Sequence, residues 1–310
     1  MVTLGEAVAG VQKELAAAGV PSPMADAHLL VAHVLGVDRP GLARRIVLRE
    51  QLDDAGLASL AELTARRAAR EPLQHLTGTA PFRTIEILVG PGVFVPRAET
   101  ELSAGVAIEE ARRLVEAGRD PLVVDLCSGS GAIAFAVAVE VPTARVVSLE
   151  LSTEAVGWAR RTLAALEAEH EGLEGRVDVR AGDATGVDAV VDLLGAADVV
   201  TANPPYIPPD AEPVEPEVRD HDPALALYGG GTDGLEVPRA VVATAAALLR
   251  PGGLFVMEHG EAQGAATRAI AGGPGWEGAV TQVDLTGRDR ALVVRRAPTV
   301  ARSSGGPGTP

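Results

Sequence analysis

Residues 197–209 read ADVVTANPPYIPP. Val199, Val200, Thr201 and Ala202 form an apolar, β-branched run of the kind that makes a buried strand. The prolines that follow stop the strand, because proline lacks a ladder donor and fixes φ. One Asn side chain, one Pro carbonyl and one Tyr ring are therefore presented at a strand's C-terminal edge. In an open parallel α/β sheet that edge is where ligands bind. Two acceptors beside an aromatic face suit a flat group carrying an NH2, either an amide or the exocyclic amine of a base. A proline-rich turn after a core strand is the bland reading of the same residues.

The flanking sequence decides between them. From residue 121 onward, strand and helix patterns alternate. Strands are expected at 122–126, 145–149, 177–180, 198–202 and 253–257, with helices at 132–139, 152–167, 234–249 and 262–271 between or after them. Two late strands, 279–284 and 291–295, complete the pattern. Repeated βαβ units imply a parallel sheet with right-handed crossovers.

The first of these strands carries Asp125 and runs into Cys127, Ser128, Gly129, Ser130 and Gly131. Glycines let the backbone approach a ligand, and the following helix N-terminus offers free N–H groups. The spacing is not G-x-G-x-x-G, which a dinucleotide pyrophosphate would need. A shorter loop opened by a carboxylate suits a ligand ending in an amino acid, and S-adenosylmethionine is such a ligand. Glu150, at the end of the next strand, is placed to grip ribose hydroxyls. Asp183, past the third strand, lies within reach of an adenine. Loop, Glu150, Asp183 and Asn203-Pro204-Pro205-Tyr206 thus fall on successive strand ends, and this set outweighs the bland reading of each.

Residues 1–76 read as a helical bundle. Thr3 and Glu6 form a capping-box pattern, and Ser22-Pro23 reads as a cap with a first-turn proline. Short and long helices are expected at 42–48 and 53–70. His28 and His33 are five apart, not the i, i+4 spacing of a metal pair, and read as packing residues. Arg66, Arg67 and Arg70 read as a solvated basic face. In residues 77–96, β-rich segments at 84–89 and 93–95 suggest a hairpin linker. A domain of strands and helices then spans 97–296, and the low-complexity tail 297–310 reads as disordered.

The chain's 310 residues allow about two domains. A net charge of −15 argues against phosphate-driven nucleic-acid binding, and 3% aromatic content leaves no base-stacking platform. Cys127 is the single cysteine, too few for a disulfide or a cysteine-based metal site, so no metal is expected. The start, MVTLGEAVAGVQKEL, lacks the features of a secretory signal, and no run is apolar enough to cross a bilayer. A cytoplasmic location is the expectation.

Longer blocks resemble a known family. REPLQHLTG (70–78), GVFVPRAETE (92–101), VVDLCSGSGAIAFAVA (123–138) and NPPYI (203–207) look like signatures of the HemK/PrmC protein-glutamine N5-methyltransferases. EVRDHDPALALYGGGTDGLEVPRAV (217–241), PGGLFVMEHGEAQG (251–264) and VDLTGRDRALVV (283–294) extend the resemblance over nearly the whole chain. NPPY is shared with adenine-N6 methyltransferases, whereas the PRxETE block and helical N-terminus favour the glutamine branch. The resemblance implies a Rossmann-like class I methyltransferase sheet behind an N-terminal helical bundle that docks the substrate. It implies S-adenosylmethionine as donor, S-adenosylhomocysteine as product, and the Gly-Gly-Gln glutamine of peptide chain release factors as acceptor. It also implies a monomer, while the charge and the lack of a long apolar run lead to the expectation of no nucleic-acid or membrane partner.

By the same resemblance, residues 127–131 hold the cofactor, Glu150 its ribose, and Asp183 and Ala184 its adenine. Asn203 touches cofactor and substrate. Asn203, Pro204, Pro205 and Tyr206 hold the glutamine amide, with Asn203, Pro204 and Tyr206 carrying catalysis, and Phe94 walls the pocket. Cys127 stands where the family's loop has its first glycine, which implies a negative φ there. Ala184 replaces an aromatic found in some relatives. Glu258 and His259 end the fifth strand and read as supports rather than bases. A nicotinamide-dependent oxidoreductase, an adenine-N6 methyltransferase and a non-enzymatic S-adenosylmethionine-binding docking protein are the rival readings.

Overall fold

The computed structural model describes residues 2–298. All but the first two residues of the tail expected at 297–310 lie outside the described residues. The chain divides into two compact units. One comprises residues up to Pro81 with Glu86–Val95 and Glu212–Pro223; the other comprises Phe82–Ile85, Pro96–Ala211 and the chain from Ala224 onward.

The first unit starts with β1 (Val2–Thr3) and α1 (Leu4–Ala17). Thr3 and Glu6 form the expected reciprocal capping box. Leu4, Ala7, Val8, Val11 and Leu15 put α1's apolar stripe in the core at helical spacing. Helix α2 (Pro23–Leu35) follows, and Gly36 ends it at φ 61°. Ser22 occupies the cap position but makes no side-chain bond there. Next come α3 (Arg39–Val47), β2 (Gln51–Leu52), which pairs antiparallel with β1, α4 (Asp54–Ala68) and α5 (Leu73–Thr77). Asp38 and Asp53 cap α3 and α4 through the Gly41 and Gly56 N–H groups at 2.7 and 2.8 Å.

Two surface readings are corrected here. Arg67 is buried, and its guanidinium donates to Asp26 at 2.7 Å and to Glu217 at 2.8 Å. Arg70 donates twice to Glu217, at 2.8 and 2.6 Å. The carboxylates come from 41 to 150 residues away, so no local pattern announces them. His33 is exposed rather than packed.

The hairpin also differs from expectation. Its arms are β3 (Thr79–Phe82) and β4 (Ile85–Leu88), turning at Arg83-Thr84, with Arg83 at φ 51°. Pro81 lies within β3, because a two-stranded ribbon is all edge and accommodates proline. Residues 93–95 form no strand.

In the second unit, α6 (Thr100–Glu116) precedes β5 (Leu122–Leu126), α7 (Ala132–Glu140), β6 (Arg145–Glu150), α8 (Thr153–Glu169), β7 (Val177–Ala181) and β8 (Ala197–Ala202). The Glu212–Pro223 segment contains α9 (Pro216–His221). Then follow α10 (Ala224–Leu227), α11 (Glu236–Leu248), β9 (Leu249–Glu258), α12 (Gly264–Ile270), β10 (Trp276–Val283) and β11 (Asp289–Arg296). The 7-stranded sheet has the order β10-β11-β9-β8-β5-β6-β7. Strands β7, β6, β5, β8 and β9 are parallel, and β11 and β10 are antiparallel additions. Strand order reverses between β5 and β8, which makes that pair the topological switch point.

Apolar residues of β5, β8 and β9 pack against Val241, Val242, Ala245 and Leu248 of α11. Helix α7 is buried along nearly its whole length, as its composition AIAFAVAVE requires. At the opposite end of β8 from the prolines, buried Asp198 accepts from Arg119, Arg250 and the Leu122 N–H. That ion cluster fixes the start of the switch-point strands and leaves their other ends for chemistry.

Candidate active site

Register brings the expected residues to one edge. Leu126 of β5 pairs with Ala202 of β8 on one side and Leu149 of β6 on the other. Ala202 pairs in turn with Met257 of β9, and Glu150 with Ala181 of β7. The next residue on each strand therefore lies at one edge: Cys127 and Asn203 leave the sheet there, and Glu150 and Glu258 are the last residues of β6 and β9.

The loop after β5 is tightly wound. Cys127, Gly129 and Gly131 all have positive φ, at 54°, 57° and 86°. The negative φ expected at Cys127 is thus wrong; the backbone keeps the glycine geometry and the cysteine adopts it under strain. A Cβ on Gly131 would meet the Phe135 ring at 2.3 Å, so only glycine fits without rearrangement. Glu150 shapes the loop from the adjacent strand, accepting from the Gly129 N–H at 2.7 Å and the Ser152 N–H at 2.8 Å. Ser148 donates to Ser128 at 2.8 Å, and Ser130 is buried. Asp183 accepts from the Thr185 N–H and hydroxyl, and Ala184 is buried in the sheet's core cluster.

Asp125 is less fully satisfied. Its Oδ1 accepts from the Thr201 hydroxyl at 2.7 Å, while buried Oδ2 has no hydrogen-bond partner among the described residues. Burial pushes this carboxyl up to about 7, and the neighbouring Glu150 charge adds to the rise. Burial together with the Glu150, Asp125 and Asp183 carboxylates holds the Cys127 thiol well above its ordinary range, so it is not a nucleophile. Such an electronegative, under-satisfied loop fits a ligand with a cationic amino acid end, and the residues present are compatible with S-adenosylmethionine.

The NPPY segment is braced from behind. The Ile207 N–H donates to Leu227 and the Gly229 N–H to Ile207, at 2.8 and 3.0 Å. Gln263 donates to the Tyr206 carbonyl at 2.9 Å. A Cβ on Gly229 would lie 2.5 Å from the Pro205 carbonyl oxygen, and one on Gly234 2.3 Å from that of Tyr206. The run YGGGTDG is therefore a close-packed backing for the motif, a role that sequence reading missed although its glycine density is the signal.

Asn203 donates its side-chain NH2 to Thr100 Oγ1 at 3.5 Å. Thr100 donates to Glu258 at 3.2 Å, and Ser103 donates to the other Glu258 oxygen at 3.4 Å. Burial lifts Glu258 to about 7 against these hydrogen bonds and the Arg290 charge. Burial also raises the Tyr206 phenol to about 12, with Glu258 and Glu99 adding to the rise and Arg290 opposing it. Tyr206 is accordingly a protonated phenol at neutral pH. His259 is fully buried and its charged form is disfavoured by burial. Its Nδ1 pairs with the Gly260 carbonyl at 2.8 Å, while Nε2 has no hydrogen-bond partner among the described residues. Thr100, Glu258 and Arg290 complete the surroundings of the motif. Phe94 belongs to the first unit.

Family comparisons agree with this arrangement. Residues 6–78 match the PrmC N-terminal domain, and residues 85–214 match the methyltransferase small domain. A "Release factor glutamine methyltransferase" of Streptomyces coelicolor is 48% identical, covering 94% of this chain and 97% of its own. The chain belongs to the release factor glutamine methyltransferase family. Relatives carrying the same name occur in Mycolicibacterium smegmatis, 43% identical over 98% of this chain and all of its own, and in Mycobacterium tuberculosis, 40% identical over 95% and 92%. The mostly parallel sheet with its helices is the Rossmann-like methyltransferase architecture, and the chain is an enzyme of the methyltransferase class. Among the described residues, no helix is long and apolar enough to cross a membrane.

Proposed function

We propose that this enzyme transfers a methyl group from S-adenosylmethionine to the side-chain nitrogen (N5) of the Gly-Gly-Gln glutamine in peptide chain release factors. The observation that carries the reading is the register that brings Asn203-Pro204-Pro205-Tyr206 beside the Cys127–Gly131 loop at the switch point, in a chain of this family. In this reading residues 127–131 hold the cofactor's amino acid portion by their backbone, and Asp125 Oδ2 faces its ammonium. Glu150 retains lone pairs for the ribose hydroxyls, and Asp183 and Ala184 lie along the adenine. The product is S-adenosylhomocysteine. Residues 1–76 dock the release factor, 77–96 link, 97–296 catalyse, and the enzyme works as a cytoplasmic monomer.

When bound, S-adenosylmethionine supplies an electrophilic methyl on a sulfonium. The chain's own contribution is orientation. An amide nitrogen is a poor nucleophile because its lone pair is delocalised into the carbonyl. The Asn203 Oδ1 and the Pro204 carbonyl accept the two amide N–H bonds, aligning the nitrogen and favouring its partial pyramidalisation. Tyr206 packs on the amide plane. Orientation of this kind is worth up to about 7–11 kcal/mol in well-aligned systems. After transfer the nitrogen gives its extra proton to water, so Tyr206 need not act as a base.

The test is methyl transfer from labelled cofactor to a purified release factor, beside a variant lacking the Gly-Gly-Gln glutamine. Label on the first alone supports the reading; equal label on both overturns it. Asn203→Ala is expected to keep cofactor affinity within roughly tenfold and nearly abolish transfer. Near wild-type turnover in that variant would show the amide clamp to be wrong.

A further inference from the structure

We infer that Glu258, acting through Thr100, sets which end of the Asn203 amide faces the substrate, making both positioning residues. The inference rests on the proposed role of Asn203 as an acceptor for the substrate amide.

A hydroxyl carries one proton. Thr100 gives that proton to Glu258 Oε2, so toward Asn203 its oxygen can only accept. The Asn203 NH2 must then turn to Thr100, as the 3.5 Å contact has it, and Oδ1 is the end left for another partner. The chain thus has a direction, fixed at its far end by a carboxylate that cannot donate. Protonating Glu258 removes that restriction. A carboxylic O–H can donate to Thr100, and the threonine proton then points at Asn203 and draws Oδ1 inward. The Asn203 NH2 would confront the NH2 of the substrate, donor against donor.

The surroundings set how readily this happens. Glu258 is 2% exposed. From α6 it faces Thr100 and Ser103, from the cap position before that helix the Glu99 charge, from β11 the Arg290 guanidinium, and from the NPPY segment the Tyr206 phenol. Burial and Glu99 favour the protonated form; Arg290 and the two hydroxyls favour the charged one, and the balance falls at about 7. Asp125 titrates in the same range, but its charge concerns cofactor affinity. Saturating cofactor therefore separates the two groups.

The experiment is single-turnover methyl transfer to a release factor at saturating S-adenosylmethionine, from about pH 5.5 to about pH 9. Wild type should show a one-proton rise centred near 7. Glu258→Gln should lose that rise and run roughly tenfold below the wild-type plateau, because a glutamine amide can present either end. Thr100→Val should be flat and similarly slow with cofactor affinity retained, and Thr100→Ser should restore both rate and profile. A rise that persists in Glu258→Gln, or one that disappears instead in His259→Gln, overturns the inference. So does a wild-type profile in Thr100→Val. Should Thr100→Val fail to fold, the Glu258→Gln profile decides alone. If Asn203→Ala retains turnover, the clamp itself is wrong. If Asn203→Ala is inactive while Thr100→Val and Glu258→Gln behave as wild type, the clamp stands and the positioning chain does not.

Discussion

Carboxylates in the two units meet opposite fates. In the helical unit, burial works against the Glu217 charge, yet hydrogen bonds from Arg70 and Arg67 outweigh it and hold the group at about 2. At the sheet edge, burial wins over the hydrogen bonds of Asp125 and Glu258, and both rise to about 7. Two things differ. Asp125 and Glu258 are buried where Glu217 is half-buried. Glu217 also receives three N–H bonds from two arginines, whereas Asp125 receives a threonine hydroxyl and keeps an oxygen without a hydrogen-bond partner among the described residues. A carboxylate satisfied from within the chain serves the fold. One left unsatisfied is a place where a ligand can supply what is missing.

The strongest way to break this contrast is Arg67→Ala. It would leave Asp26 and Glu217 facing a buried space with their shared cation gone. Removing one partner of such a network typically costs about 3–5 kcal/mol. Denaturant unfolding should show loss of that order, with the cofactor affinity of any folded fraction unchanged. A stability loss below about 1 kcal/mol would mean that the network is not the scaffold described here.

Asp125→Asn should behave in the reverse sense. The folded group sits at about 7 against an ordinary 3.8, so its ionised form is disfavoured by folding. That penalty is absent below the ordinary value, grows as pH rises through the folded value, and is complete above it. The variant should therefore melt above wild type at pH 8 without cofactor, by roughly 1–3 kcal/mol, with the gain shrinking toward pH 5. It should also bind S-adenosylmethionine on the order of tenfold to a hundredfold more weakly. In wild type, cofactor affinity should rise with pH through about 7, since a cationic ligand favours the charged carboxylate. A variant that lost apo stability and kept its affinity would place Asp125 with the scaffold instead.

This contrast also separates what sequence could and could not tell. The sheet and its site were legible because alternating apolar runs end in chemistry-bearing residues, and parallel register aligns those ends automatically. Asn203, Glu150 and the loop at 127–131 all follow from that logic. The Arg67–Glu217 pairing was not legible, because its partners are 150 residues apart and a run of arginines on a helix looks like surface. The hairpin was misplaced because its first arm, Thr79–Phe82, contains Pro81, which a ribbon made only of edges accommodates. Thr100 was hidden for another reason. Its helix position looks like ordinary α6 surface chemistry, and only the fold carries it to Glu258.

Glu217→Gln offers a gentler test of the helical side. Its folded value lies below the ordinary 4.5, so the group stabilises the fold above that value. The contribution is lost as pH falls from there toward about 2. The variant should lose up to about 2 kcal/mol at pH 7, and the gap to wild type should close under acid. A gap that stayed constant with pH would assign the loss to packing rather than charge.

The smallest effect belongs to Cys127, where a strained backbone meets the under-satisfied loop. Its φ of 54° costs a cysteine what it does not cost a glycine. Cys127→Gly relieves that strain but frees the unfolded chain and removes a side chain packed against the sheet's core cluster. These opposing contributions are each about 1 kcal/mol, so the melting temperature should move by only a few degrees in either direction. Cofactor affinity and turnover should stay within about threefold, because the loop's ligand-facing groups are backbone and neighbouring carboxylates rather than the thiol. A loss of affinity beyond tenfold would mean that the thiol itself lines the cofactor site, which would leave the loop less dependent on the unpaired carboxylate than its structure indicates.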